Sequence, residues 1–152
     1  MFKNTKKYIK KIIPWMNIEN KIYKLYVKAN KNQIKKNYLL ASFYMNKIYK
    51  KYKCHIHANA KIGYNLLLPH PIGVIIGANA IIGDNVTLYQ NVTVGKRRKE
   101  ENEYPIIGNN VTVYCNSVII GNVHIGNNAI IGCNSIVLRD VKDGEVVCGI
   151  VK

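Results

Sequence analysis

Residues 107–138 read IGNNVT VYCNSV IIGNVH IGNNAI IGCNSI VL, a stretch that repeats every six residues. An aliphatic side chain opens each hexad, at Ile107, Val113, Ile119, Ile125, Ile131 and Val137. Asn holds the fourth place at 110, 116, 122, 128 and 134, and Asp140 continues the row. The fifth place is small or branched: Val111, Ser117, Val123, Ala129, Ser135, Val141. A period of six matches neither the 3.6 of a helix nor simple alternation. It is the signature of a parallel β-helix, in which three short strands complete one triangular coil.

The pattern extends upstream. From Ile56 the chain reads IHANAK IGYNLL LPHPIG, slips by two residues at Val74-Ile75, and resumes as IGANAI IGDNVT LYQNVT VG. KRRKEENEYPI then interrupts it before Ile107. Counting openers gives five coils: 56/62/68, 76/82/88, 94/107/113, 119/125/131 and 137/143. Like side chains stack on like from coil to coil, ~4.8 Å apart. Asn fills the fourth place ten times, adding 59, 65, 79, 85 and 91. A tight corner between strands asks for a left-handed residue, which Asn tolerates better than other non-glycine residues. The expected fold is mainly β: a parallel β-helix of about five coils over 54–152, preceded by an α-helical segment over 1–53, with one protruding loop at 96–106.

Charge divides the chain at the same place. Residues 1–53 carry 15 Lys and one acid, Glu19, for +14, whereas 54–152 carry +1. Such asymmetry points to an anionic partner, or else to a solvated basic face. No recognised nucleic-acid motif accompanies it. Two apolar stripes predict two helices: Ile18, Ile22, Leu25 and Tyr26, then Ile34, Tyr38, Leu39, Phe43, Ile48 and Tyr52, broken at Asn30-Lys31-Asn32 and preceded by Pro14. Seven of the eleven Tyr fall in this segment among the lysines, a mixture suited either to peripheral contact with a membrane or to packing on the coil. The longest apolar run, 38–45, is far short of a span of ~20 residues, and the basic start broken by Pro14 does not read as a secretory signal. The four Cys show no CxxC and no zinc spacing, so no metal is expected. Reduced thiols fit a cytoplasmic protein.

A regular coil has no chemistry of its own, so interruptions of the repeat mark candidate sites. One is LPHPIGVIIG, which sets His70 at a corner between Pro69 and Pro71. The other is the 96–106 loop, with four consecutive cations followed by acids. In the hexad register Gln90, Cys115 and Cys133 occupy the same place as His70 one or more coils away. The expected result is a column that guides an extended ligand toward the imidazole. Cys115 falls two coils from His70, too far for a nucleophilic dyad.

LLLPHPIGVIIGANAIIGDNVTLYQNVTVG, a loop, and IIGNNVTVYCNSVIIGNVHIGNNAIIGCNSIVLRDV together resemble the serine acetyltransferase-like branch of the hexapeptide acyltransferases, over about residues 55–148. The resemblance implies a left-handed β-helix, a homotrimer, and acetyl-CoA bound between subunits. His70 matches the general base, Cys115 and Cys133 match small residues lining the acetyl-CoA arm, and Gly95 matches the glycine beside the thioester. An imidazole of pKa about 6.5 can take a hydroxyl proton during attack, and the Gly95 amide is the candidate donor to the thioester oxygen. His55 stands where that family has an orienting acid, and is the candidate to hold the His70 ring. Arg139 and Lys142 are placed near the nucleotide end of the coenzyme, and Gln90 beside the pantetheine.

Three departures bear on the acceptor: Pro69 replaces an Asp, His55 replaces the orienting acid, and Glu103-Tyr104 replaces an Arg-His pair that grips the amino acid. They lead to the expectation of a sugar hydroxyl in a surface polysaccharide as acceptor, as in the polysaccharide O-acetyltransferases. Serine acetylation is the alternative within enzymes, and a non-catalytic trimeric scaffold the alternative outside them. The enzyme is placed in the cytoplasm, at the inner face of the membrane if the basic segment binds it.

Overall fold

A computed structural model describes residues 18–100 and 102–152, with side chains from residue 21 onward; Pro14 and the rest of 1–17 lie outside the described residues. Three parallel sheets form the three faces of a coil. The first holds His55–Ile56, Ile75–Ile76, Thr93–Gly95, Val118–Ile120, Ile136–Val137 and Ile150–Val151. The second holds Lys61–Ile62, Ile81–Ile82, Ile106–Ile107 and His124–Ile125, and the third Thr87–Leu88, Thr112–Val113, Ile130–Ile131 and Val146–Val147. Each strand pairs with its counterpart one coil away, so opener meets opener: Ile76 with Val94, Val94 with Ile119, Ile82 with Ile107, Val113 with Ile131. These side chains fill the interior in three stacks, each removed from water at a gain of ~1.5–3 kcal/mol.

The fifth-place residues close the core from the corners; Ala60, Leu66, Val86, Val92, Val111, Val123, Ala129 and Val141 are all buried. Ser117 and Ser135 are fully buried too, and both hydroxyls donate to the Gly132 carbonyl, at 2.8 and 2.6 Å. The last coil departs from the counted register. Val141, not residue 143, bridges Ile125, and Val147 stacks on Ile131, so the spacing after Val137 runs four, six and four. Ile150–Val151 then opens a further turn on the first face.

The fourth-place Asn rule holds at two corners of three. Asn65, Asn85, Asn110 and Asn128 at one corner, and Asn91, Asn116 and Asn134 at another, all have φ between 56° and 60°. Their side-chain amides link coil to coil, Asn65 to Asn85 to Asn110 to Asn128 in one ladder and Asn91 to Asn116 to Asn134 in the other, at 3.0–3.3 Å. Asn59, Asn79 and Asn122, at the corner after the first face, are not left-handed. There the chain turns through backbone bonds from Ala60 to His57 and from Ala80 to Gly77.

Two helices cap the first coil: α1 (Ile18–Ile34) and α2 (Tyr38–Tyr52). The expected break at Asn30–Asn32 is absent, because both Asn are used inside the helix. Asn32 donates to the Lys28 carbonyl and Asn30 to the Ala58 carbonyl at 2.7 Å. The chain turns instead at Lys36, where φ is 58°, and Asn37 caps α2 by accepting from the Leu40 amide. The Tyr26 hydroxyl donates to the Ala60 carbonyl at 2.6 Å, and burial pushes its pKa up to about 12. The second stripe is displaced from its expected line: α2 buries Ala41, Ile48 and Tyr52 and leaves Tyr38, Leu39 and Phe43 exposed, while Ile34 ends α1 and is exposed too.

Candidate active site

His70 sits in a lengthened coil. Ile56 to Ile76 takes twenty residues, against eighteen from Ile119 to Val137. The hydrogen bonds show where the extra two lie. At the regular corners the Asn116 amide donates to Gln90 O and the Asn134 amide to Cys115 O; one coil earlier the Asn91 amide donates to Ile72 O. Ile72 is therefore the residue in line with Gln90, Cys115 and Cys133. Gly73, with φ 73°, takes the left-handed place that Asn91 holds above it, and a Cβ there would run into the Asn91 side chain. Leu67 still pairs with Thr87. The insertion is thus Pro69-His70-Pro71 set against the single residue Tyr89, and not a slip at Val74-Ile75.

This relocates the expected column. His70 is not stacked over Gln90; its ring faces Tyr89, with centroids 6.4 Å apart, and Tyr89 stacks on Tyr114 at 5.1 Å and 18°. A run of three rings leads along the edge from the imidazole, and neither Tyr was singled out from the sequence. The signal was present, since Tyr takes the second place of both hexads where Gly is usual. Gln90, Cys115 and Cys133 form the neighbouring row. The Gln90 side-chain oxygen Oε1 is buried without a hydrogen-bond partner, Cys115 is half-buried, and Cys133 is exposed. An orphaned buried acceptor costs ~1–3 kcal/mol until a donor reaches it. An amide-bearing chain laid along this row supplies such donors.

His55 opens the first strand and lines a hollow with Ser42, Met45, Asn46 and Tyr49 of α2. Its electrostatic neighbour is His57, whose pKa is lowered first by burial and then by His55. The His57 Nδ1 accepts from the Asn59 amide at 3.1 Å, a bond that requires the unprotonated ring nitrogen. Gly95 ends its strand just before the loop; its carbonyl accepts from Gly121, and nothing lies within 4 Å of where a side chain would begin. In the loop, Lys96 Nζ donates back to the Lys99 carbonyl at 2.6 Å. Tyr104 turns inward and packs its ring over Gly77, so it serves the core. Arg139 is held by Glu145 at 3.0 Å, and that hydrogen bond raises the guanidinium pKa and lowers the carboxyl pKa. Lys142 lies in a separate shallow cleft with His124, Asp140 and Asp143. Among the described residues no group of three or more His, Cys, Asp or Glu is placed to hold a metal.

The chain builds its coil from hexads and lifts a histidine out at one corner, and known proteins share parts of this arrangement. Residues 104–139 match the family described as bacterial transferase hexapeptide (six repeats). The relatives are more particular. Over 96 residues, 62% of this chain and 45% of the relative, the chain is 46% identical to serine acetyltransferase of Staphylococcus aureus. The soybean serine acetyltransferase apoenzyme superposes with a TM-score of 0.81 at 30% identity, over 84% of this chain and 53% of that one. A serine acetyltransferase in complex with CoA superposes at 0.79 and 27% identity, over 84% and 53%. These likenesses establish the fold as a left-handed parallel β-helix. The chain spans about half the length of the relatives it matches.

They also overturn the sugar acceptor and the role in polysaccharide synthesis. That expectation rested on the loss of charged groups near His70 and in the loop, yet the relatives are serine acetyltransferases. Losing a few polar contacts at a site does not identify a new acceptor.

Proposed function

We propose that the chain transfers the acetyl group of acetyl-CoA to the hydroxyl of serine. One observation carries the proposal: in a chain whose relatives are serine acetyltransferases, two extra residues lift an exposed imidazole out of the coil at one corner. His70 takes the serine hydroxyl proton as the oxygen attacks the thioester carbon. The carbonyl oxygen gains negative charge beside Gly95, where no side chain blocks the approach of the thioester to the strand. The C–S bond then breaks, the CoA thiolate leaves, and it regains a proton from the His70 imidazolium. No acyl-enzyme forms. The pantetheine lies along the Gln90–Cys115–Cys133 row, where its amides satisfy Gln90; His55 supports the histidine corner; and Arg139 and Lys142 stand toward the nucleotide end.

Assembly as a homotrimer completes the site. The outer faces favour it: Ile75, Ile136 and Ile150 on the first sheet, and Ile130 and Val146 on the third, remain 37–68% exposed in the single chain. The test is thiol release from acetyl-CoA with serine as acceptor. His70→Ala should lower turnover ~100-fold or more while acetyl-CoA binding persists. Absence of serine-dependent CoA release above background, from protein that binds acetyl-CoA, would sink the proposal.

A further inference from the structure

The turn joining α1 to α2 carries the largest apolar exposure on the helices. Leu39 is 88% exposed, Ile34 73%, and Tyr38 and Phe43 57% each. Leu39, Phe43 and Lys50 share one side of α2, opposite the Ala41, Ile48 and Tyr52 side that packs inward. An apolar patch of this kind marks a contact surface.

Its surroundings are cationic. Lys31, Lys35 and Lys36 flank the turn, and Lys47, Lys50 and Lys51 line a shallow hollow with Phe43 and Asn46 further along α2. Residues 18–53 hold ten Lys and one acid, Glu19, which lies near the far end of α1. A second copy of this face would bring lysine against lysine with no carboxylate to pair it. A solvated protein surface would leave Leu39 and Phe43 without a reason. An anionic lipid surface accommodates both parts, since apolar side chains enter the headgroup boundary while ammonium groups meet phosphates. No helix among the described residues is long and apolar enough to cross a membrane.

We propose that the α1–α2 hairpin docks on an anionic phospholipid bilayer, with Leu39 and Phe43 inserted at the headgroup boundary and the flanking lysines on the phosphates. The proposal does not depend on the acetyl-transfer reading.

The full chain is mixed with vesicles of phosphatidylcholine, with or without phosphatidylglycerol, and floated through a density gradient. Binding to the anionic vesicles should exceed binding to the neutral ones by roughly tenfold or more, and should fall steeply with added salt. Leu39→Ser with Phe43→Ser should lower the bound fraction roughly tenfold at unchanged melting temperature. Lys35→Gln with Lys36→Gln should lower it and flatten the salt dependence. Equal binding to both vesicle types, or none to either, overturns the proposal. So does retained vesicle binding by the Leu39/Phe43 variant. If that variant instead loses mass in light scattering while vesicle binding persists, the face joins copies of the chain. If only a soluble polyanion such as RNA is bound, the lysines serve that ligand and not a bilayer.

Discussion

Asn116 offers the most direct test of how the repeat holds the coil. Its backbone is left-handed at φ 60°, its Oδ1 accepts from Asn91, and its Nδ2 donates to Asn134. Replacement by Ala removes both amide bonds, worth ~0.5 kcal/mol each at an exposed position, and leaves in the left-handed region a residue without the polar side chain that lets Asn tolerate it, at ~1 kcal/mol. The sum is ~2 kcal/mol, or a fall in melting temperature of ~4–8 °C for a chain of this size. Gly at 116 tolerates the positive φ, so Asn116→Gly should lose only about half as much. Asn122 holds the same place in its hexad but is neither left-handed nor part of a ladder, so Asn122→Ala should stay within ~0.5 kcal/mol. Urea or thermal unfolding by circular dichroism reads all three. Equal losses at 116 and 122 would refute the argument, because the hexad position alone, and not the backbone at each corner, would then set the cost.

The Cys54 thiol is buried at the junction of α2 and the coil, and burial pushes its pKa up to about 12. Iodoacetamide at pH 8 should therefore label Cys133 and Cys148 in the folded protein and Cys54 only in denaturant; rapid labelling of Cys54 by mass mapping would contradict its packing. His57 has its pKa lowered from 6.5 by burial and by His55, so the unfolded chain binds the extra proton first as pH falls. The stability held above pH 6.5 should decline as pH drops through that value toward the folded pKa, and His57→Asn should make the decline shallower. An identical pH profile in unfolding experiments on the variant would count against it.

The amino-acid sequence alone determined the coil. Strands six residues apart bring identical places together, so an error in any single residue is outvoted by the row. Hence the three faces, the buried openers and the buried fifth places were all legible before any coordinates. The same logic failed where the spacing changes. A two-residue insertion can sit anywhere between two openers without disturbing the pattern, and only the bonds from Asn91 to Ile72 and from Asn116 to Gln90 fix it at Pro69–Pro71. That decision moved His70 off the Gln90 row and onto Tyr89 and Tyr114. Tertiary structure likewise decided which Asn are left-handed, because the corner after the first face closes by backbone bonds without needing the side chain. It chose the buried side of α2 as well, since the coil offered Ala58 and its corner a contact with Ala41, Tyr44 and Met45 that an apolar stripe in isolation does not reveal. Periodicity fixes what repeats, while the position of an exception and the choice of an interface depend on what lies opposite in space.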